Sequence, residues 1–196
     1  MKLKHQLRPY APKPWAQWHS PNHNARPLGA VVDTVVVHNI QLPPDDYSPR
    51  WVRAFFTNQL PAHRHPYFEH IAKVRVSAHF YIARNGRVVQ CVPLHRRAWH
   101  AGLSSLQTSE GLRDNINNTS IGIELAGADD VPYTQAQYAA LRRVLLRLKH
   151  SLPIRYVVGH CDIAPQRKTD PGAAFDWQRL VASIPASICQ GWRFRS

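Results

Sequence analysis

Val31-Val32-Asp33-Thr34-Val35-Val36-Val37 is the stretch on which the fold turns. It is apolar and β-branched, and it is short for a helix. It therefore reads as a strand buried on both faces, the kind found in parallel sheets. His38-Asn39 follows where the apolar run stops, so an imidazole should stand at the exposed end of that strand. About 120 residues later the pattern recurs. Residues 154–158 form a second buried strand and run into Gly159-His160-Cys161-Asp162-Ile163-Ala164-Pro165-Gln166-Arg167-Lys168-Thr169-Asp170-Pro171-Gly172. That segment repeats the strand-end histidine and adds Asp170, which Pro171 restricts to an extended backbone. Two histidines and an aspartate, with a water, make a zinc site with one open coordination position. Such a site points to a hydrolase.

Outward from these strands, the chain alternates between the periods of strand and helix. Residues 49–60 place Trp51, Val52, Phe55 and Phe56 at helical spacing, and residues 61–73 read as a histidine-bearing loop. Residues 76–83 and 88–92 flank Asn85-Gly86, a pair suited to the positive φ angles of a tight hairpin. Residues 103–118 are polar and Ser/Asn-rich and read as a long, functional loop. Ser120–Ala126 alternates as a strand. Thr134 and Gln137 form a capping box opening a helix with Tyr138, Leu141, Leu145 and Leu148 inward and Arg142, Arg143, Arg147 and Lys149 mostly outward. Residues 176–184 make a short last helix. The expectation is a single α/β domain, a central mixed sheet flanked by helices. It should span residues 30–184, with an irregular basic arm over 1–29 and a short basic tail over 185–196.

The 196 residues suffice for one sizeable core. The chain has 25 Lys+Arg against 12 Asp+Glu, a net charge of +13. That suits an anionic partner, either a substrate, nucleic acid or a membrane surface. No zinc-finger spacing, RNA-recognition signature or Gly-rich phosphate loop supports nucleic acid, and no stretch approaches a membrane span. The first 18 residues lack the apolar run of a signal peptide. Cys91, Cys161 and Cys189 cannot all pair within the chain, so reduced thiols and a cytoplasmic location are expected.

Four further residues need weighing. If the second strand continues through Cys161, its thiol faces away from His160, which makes it a core thiol rather than a ligand. Glu124 sits mid-strand on the face opposite Ile121, Ile123 and Leu125. It is either an exposed position beside a solvated glycine face or a general base tuned by burial. Lys168 is either a surface lysine or the cation that holds an oxyanion. Asp170 is either a ligand or simply the turn-initiating residue of Asp170-Pro171-Gly172, a role compatible with ligation.

At this point the motifs carry a resemblance. Val37-His38-Asn39-Ile40 with Leu42-Pro43-Pro44, Arg75-Val76-Ser77-Ala78-His79, Arg97-Ala98-Trp99-His100-Ala101-Gly102, Ser120-Ile121-Gly122-Ile123-Glu124 and the 159–172 segment occur together and in order. From about residue 30 to 180 the chain resembles the zinc-dependent N-acetylmuramoyl-L-alanine amidases, which share a fold with peptidoglycan recognition proteins and T7-type lysozyme. It is most similar to the cytosolic 1,6-anhydro branch of cell-wall recycling, the AmpD type. The resemblance implies zinc on His38, His160 and Asp170, catalysis by Glu124 and Lys168, and a substrate groove lined by Asn39, Arg75 and Trp99. Arg113, in a loop longer than the family's, would be a further substrate-binding residue. Asp170 and Glu124 replace the cysteine ligand and the tyrosine of the lysozyme-like relatives. The expected partner is an anhydro-muropeptide, with neither nucleic acid nor membrane, and the expected state is a monomer. The rival reading, a muropeptide sensor that does not cut, would be favoured by a missing ligand or carboxylate.

Overall fold

A computed structural model describes residues 15–194. Residues 1–14 of the expected arm, and the last two of the expected tail, lie outside the described residues. The centre is a parallel pair of seven-residue strands, β3 (Thr34–Ile40) and β9 (Ser120–Ala126). Val35, Val36, Val37, Ile121, Ile123 and Leu125 are all fully buried, so both sheet faces are covered, as an uninterrupted apolar run demands. Each such side chain contributes about 1.5–3 kcal/mol of burial.

Beside β3 runs β10 (Tyr156–Gly159), and beside β9 runs β4 (Phe80–Ile82), both parallel. β5 (Val88–Gln90) lies antiparallel to β4, while β1 (Ala16–Gln17) and β11 (Arg193–Phe194) close the edges. The seven-stranded order is β1-β5-β4-β9-β3-β10-β11. This is the expected single α/β domain with a mixed central sheet.

On one face, α3 (Gln135–Ser151) and α5 (Trp177–Ser183) pack Leu141, Leu145, Leu148 and Leu180 against Val35, Val37 and Ile123. The capping box that starts α3 forms in both directions, with Thr134 Oγ1 accepting from Gln137 N and Gln137 Oε1 from Thr134 N, each at 3.1 Å. On the other face, α1 (Pro49–Phe56) and α2 (Pro66–Ile71) bury Phe55, Phe56 and Phe68. A third apolar cluster joins Val36 and Tyr156 to Ile116 and Ile163.

Several expectations are corrected. Residues 103–118 fold as an antiparallel hairpin, β7 (Ser105–Thr108) with β8 (Gly111–Asp114), followed by a 3-10 turn, Ile116–Asn118. Residues 61–73 contain α2, with Pro66 in its first turn and the His65 side chain capping Tyr67 N. Residues 15–29 are built into the domain. β1 joins the main sheet, and β2 (His23–Ala25) pairs with β6 (Arg96–Ala98). Residues 185–194 likewise dock, through α6 (Ala186–Cys189), the buried Trp192 and β11. At Asn85-Gly86 only Gly86 takes a positive φ, 77°. A Cβ there would come 2.6 Å from the Ala136 carbonyl, so both backbone and space require glycine.

Candidate metal centre

The parallel register assembles the site. Gly159 pairs with Val37, which brings His160, one residue beyond, level with His38. On the other side of β3, Glu124 is the register partner of His38. The site thus forms toward the carboxyl ends of β10, β3 and β9, where open parallel sheets receive ligands. Two details differ from expectation. His38 is 1 % exposed and lies two residues inside β3, not at an exposed end. The chain also turns helical at His160, opening α4 (His160–Ile163), so Cys161 leaves the ligand cluster by helical rather than strand geometry.

His38 Nδ1, His160 Nδ1 and Asp170 Oδ2 form a triangle with sides of 3.0, 3.0 and 3.1 Å. Hydrogen bonds along all three edges cannot all be linear, whereas one cation off the centre would meet all three lone pairs. Donors about 2.0–2.2 Å from a tetrahedral zinc are about 3.3–3.5 Å apart. The triangle is within a few tenths of an ångström of that, so these residues fit a zinc ion. Among the described residues they are also the grouping that could hold a metal. Burial pushes the His38 pKa down to about 4 and keeps its lone pair available.

The connecting segment is tied at several points. Cys161 N donates to Asp170 O at 3.0 Å, Tyr133 Oη to Pro171 O at 2.8 Å, and Arg167 Nη2 to the carbonyls of Ala101 and Leu103 at 2.9 and 2.7 Å. Asn39 donates to Asp129 Oδ1 at 2.7 Å, and its amide borders the pocket from that anchored position.

Beside the triangle lies a cavity of about 520 Å³, walled by Phe55, Phe56, Tyr67 and Ile71 opposite Glu124, Lys168 and the ligand set. Glu124 Oε2 is buried and has no hydrogen-bond partner. Burial, then the Asp170 charge, pushes the Glu124 carboxyl far above its ordinary pKa, with Lys168 opposing. The exposed reading of Glu124 is thereby excluded, since a protein leaves such a group orphaned where a ligand or a reaction uses it.

The other expected residues fall at varied distances from this cavity. Trp99 borders a second groove of about 890 Å³, with Arg97, Leu103, Asn115 and Arg167, and Arg167 edges both hollows. Arg75 is exposed beside the cavity-lining Val74 and Val76, its guanidinium on the Ala72 and Val74 carbonyls. Arg113 binds the buried Asp33 through both terminal nitrogens, at 2.6 and 3.2 Å, and so fastens the β7–β8 hairpin to the start of β3. His100, whose Nδ1 stands 3.0 Å from His38 Nε2, was not legible as a site residue in the sequence. The only signal was Gly122, which leaves the space that ring fills.

The chain is similar to known proteins over most of its length. The N-acetylmuramoyl-L-alanine amidase family matches residues 28–173. The chain is 47 % identical over 170 residues to the Citrobacter freundii 1,6-anhydro-N-acetylmuramyl-L-alanine amidase AmpD, covering 86 % of this chain and 89 % of that protein. A crystal structure of an AmpD Se-Met derivative superposes with a TM-score of 0.82 at 46 % identity, covering 87 % of this chain and 94 % of the other. The Escherichia coli amidase AmiD, solved with anhydro-N-acetylmuramic acid-L-Ala-D-γ-Glu-L-Lys, superposes at 0.55 and 29 % identity, covering 87 % and 60 %. The match spans most of the chain, and the chain belongs to the N-acetylmuramoyl-L-alanine amidase family.

Proposed function

We propose that this protein is a cytoplasmic, zinc-dependent amidase that hydrolyses the bond between the lactyl carbonyl of 1,6-anhydro-N-acetylmuramic acid and the L-alanine of its stem peptide. The observation that carries this reading is the ligand triangle with an orphaned, buried carboxyl beside it in one cavity, on a chain so similar to AmpD. His38, His160 and Asp170 would hold zinc, which supplies Lewis acidity and a positive charge that lowers the pKa of nearby acids. Glu124, on the wall of the cavity, accepts the proton of the attacking water and returns it to the leaving amine. Lys168, on the wall of the same cavity, places its ammonium against the developing oxyanion. Asn39, Trp99, Arg75 and Arg113 are proposed to contact substrate, Trp99 on the second groove and Arg113 through its hairpin. Stem-peptide carboxylates meet a chain of net charge +13. No described helix is long and apolar enough to cross a membrane, and no disulfide joins Cys91, Cys161 or Cys189. The proposal includes a monomer acting on soluble cell-wall fragments.

The test is incubation of purified protein with anhydro-muropeptides, products identified by mass, in parallel with intact sacculi. Release of free stem peptide, much faster from the anhydro fragments, is expected. The rate should fall as salt rises, because attraction between exposed charges is screened within about 10 Å at 0.1 M. Equal specific activity on sacculi would overturn the fragment specificity. Binding without any cleavage would favour a sensor.

A further inference from the structure

A chain of buried hydrogen bonds leads away from the metal centre through two side chains to which nothing above gives a task. Its polarity can be read from the far end. The Ile116 carbonyl can only accept, so Ser120 Oγ, 2.6 Å away, donates its single proton there. Ser120 Oγ must then accept from His100 Nε2, at 3.0 Å. An imidazole protonated on Nε2 alone presents a lone pair at Nδ1, and His100 Nδ1 lies 3.0 Å from His38 Nε2. His38 Nε2 is therefore the donor, which leaves the His38 lone pair on Nδ1, the atom in the ligand triangle. His160 reaches the same state by a shorter route, its Nε2 lying 3.1 Å from the Ala101 carbonyl.

The His100 slot is built for that ring. A Cβ on Gly122 would come 2.4 Å from His100 Cγ. The backbone N–H groups of His100 and Ala101 are held by Asn117 Oδ1 at 3.1 and 2.9 Å. Ser120 is fully buried and His100 is 9 % exposed, so water offers little alternative to the chain of bonds.

We propose that His100 and Ser120 are positioning residues that lock His38 in the Nε2–H tautomer and so aim its Nδ1 lone pair at the metal. The inference rests on the metal-centre reading above. A merely space-filling histidine would need no particular tautomer and would be replaceable by any side chain of similar volume.

The experiment uses the full chain with 15N-labelled histidine. Long-range 1H–15N spectra of the metal-free protein at pH 7.5 should show His38 and His100 both protonated on Nε2. Zinc affinity, measured by competition with a chromophoric chelator, should fall about ten- to a hundredfold in His100→Leu. It should recover most of that loss in the near-isosteric His100→Asn, whose Oδ1 can accept from His38 Nε2. Ser120→Ala should leave His38 as a mixture of tautomers. A wild-type His38 protonated on Nδ1 overturns the proposal even if no variant folds. Unchanged zinc affinity in a folded His100→Leu overturns it as well. Zinc binding by the wild type with the wrong tautomer would sink this inference alone, whereas a wild type that binds no zinc would sink the metal-centre reading.

Discussion

At Glu124 the chain has placed a carboxyl group with one oxygen buried and without a hydrogen-bond partner. Its pKa is raised chiefly by burial, so ionising it above its ordinary range costs the folded state stability. Glu124→Gln should therefore do two things that seldom occur together. In the metal-free protein at pH 7, the thermal midpoint should rise by a few degrees, since about 1 kcal/mol moves a domain of this size by about 2–4 °C. In the zinc-loaded protein, turnover of anhydro-muropeptide should fall by about a hundredfold or more with metal content unchanged. Near-normal turnover would move the general base elsewhere. At this scale the sequence was informative where a residue type was out of place. A histidine after an apolar run and a carboxylate inside a strand each stand out. His100 and Ser120 did not, because they act across strands, and a partner 20 or 62 positions away leaves no local pattern.

Elements were legible in proportion to how far their own residues determine them. β3, β9 and α3 followed directly from periodicity, and the capping box fixed the start of α3. β1, β2 and β11 have two or three residues each and exist because a neighbouring strand offers hydrogen bonds, which no local pattern announces. The β7–β8 hairpin was misread as a loop because its strands are polar. Much of its attachment is the bidentate pair from Arg113 to Asp33, which is 2 % exposed. Removing the cation would strand a buried carboxylate, at a cost of about 3 kcal/mol. Arg113→Ala should accordingly lower stability by about that amount in denaturant unfolding. Its effect on catalysis then separates two roles. A KM raised in a fully folded variant would give Arg113 a hand on the substrate, and unchanged constants would leave it a clasp for the hairpin.

The molecule as a whole carries several uncharged histidines beneath a strongly cationic surface, and this sets its response to acid. Burial lowers the pKa of His38 to about 4 and of His79 to about 3, and holds His100 well below 6.5. In the unfolded chain all three would titrate near 6.5. As pH falls through that value the unfolded state takes up protons the folded state refuses. Their contribution is thus full above about pH 6.5 and is lost progressively below it. Each histidine contributes about 1.4 kcal/mol per pH unit once the unfolded ring is charged. Glu124 acts in the opposite sense, since its raised pKa makes the folded state gain stability as pH falls toward 4.5. Three protons against one leave a net loss of about 3 kcal/mol per unit. Against a typical total of about 5–15 kcal/mol, a loss of about 3 kcal/mol per unit brings the metal-free protein to the edge of unfolding only below about pH 5. Thermal melts followed by circular dichroism, in chelator from pH 8 to 5, should show a midpoint that falls once the pH drops below about 6.5. His79→Asn keeps an acceptor for the Gly122 N–H that now donates to His79 Nδ1 at 3.0 Å, and it should make the decline shallower. A midpoint independent of pH would mean that these rings titrate in the folded protein as they do in the unfolded chain, and burial would then not be what keeps the His38 lone pair available.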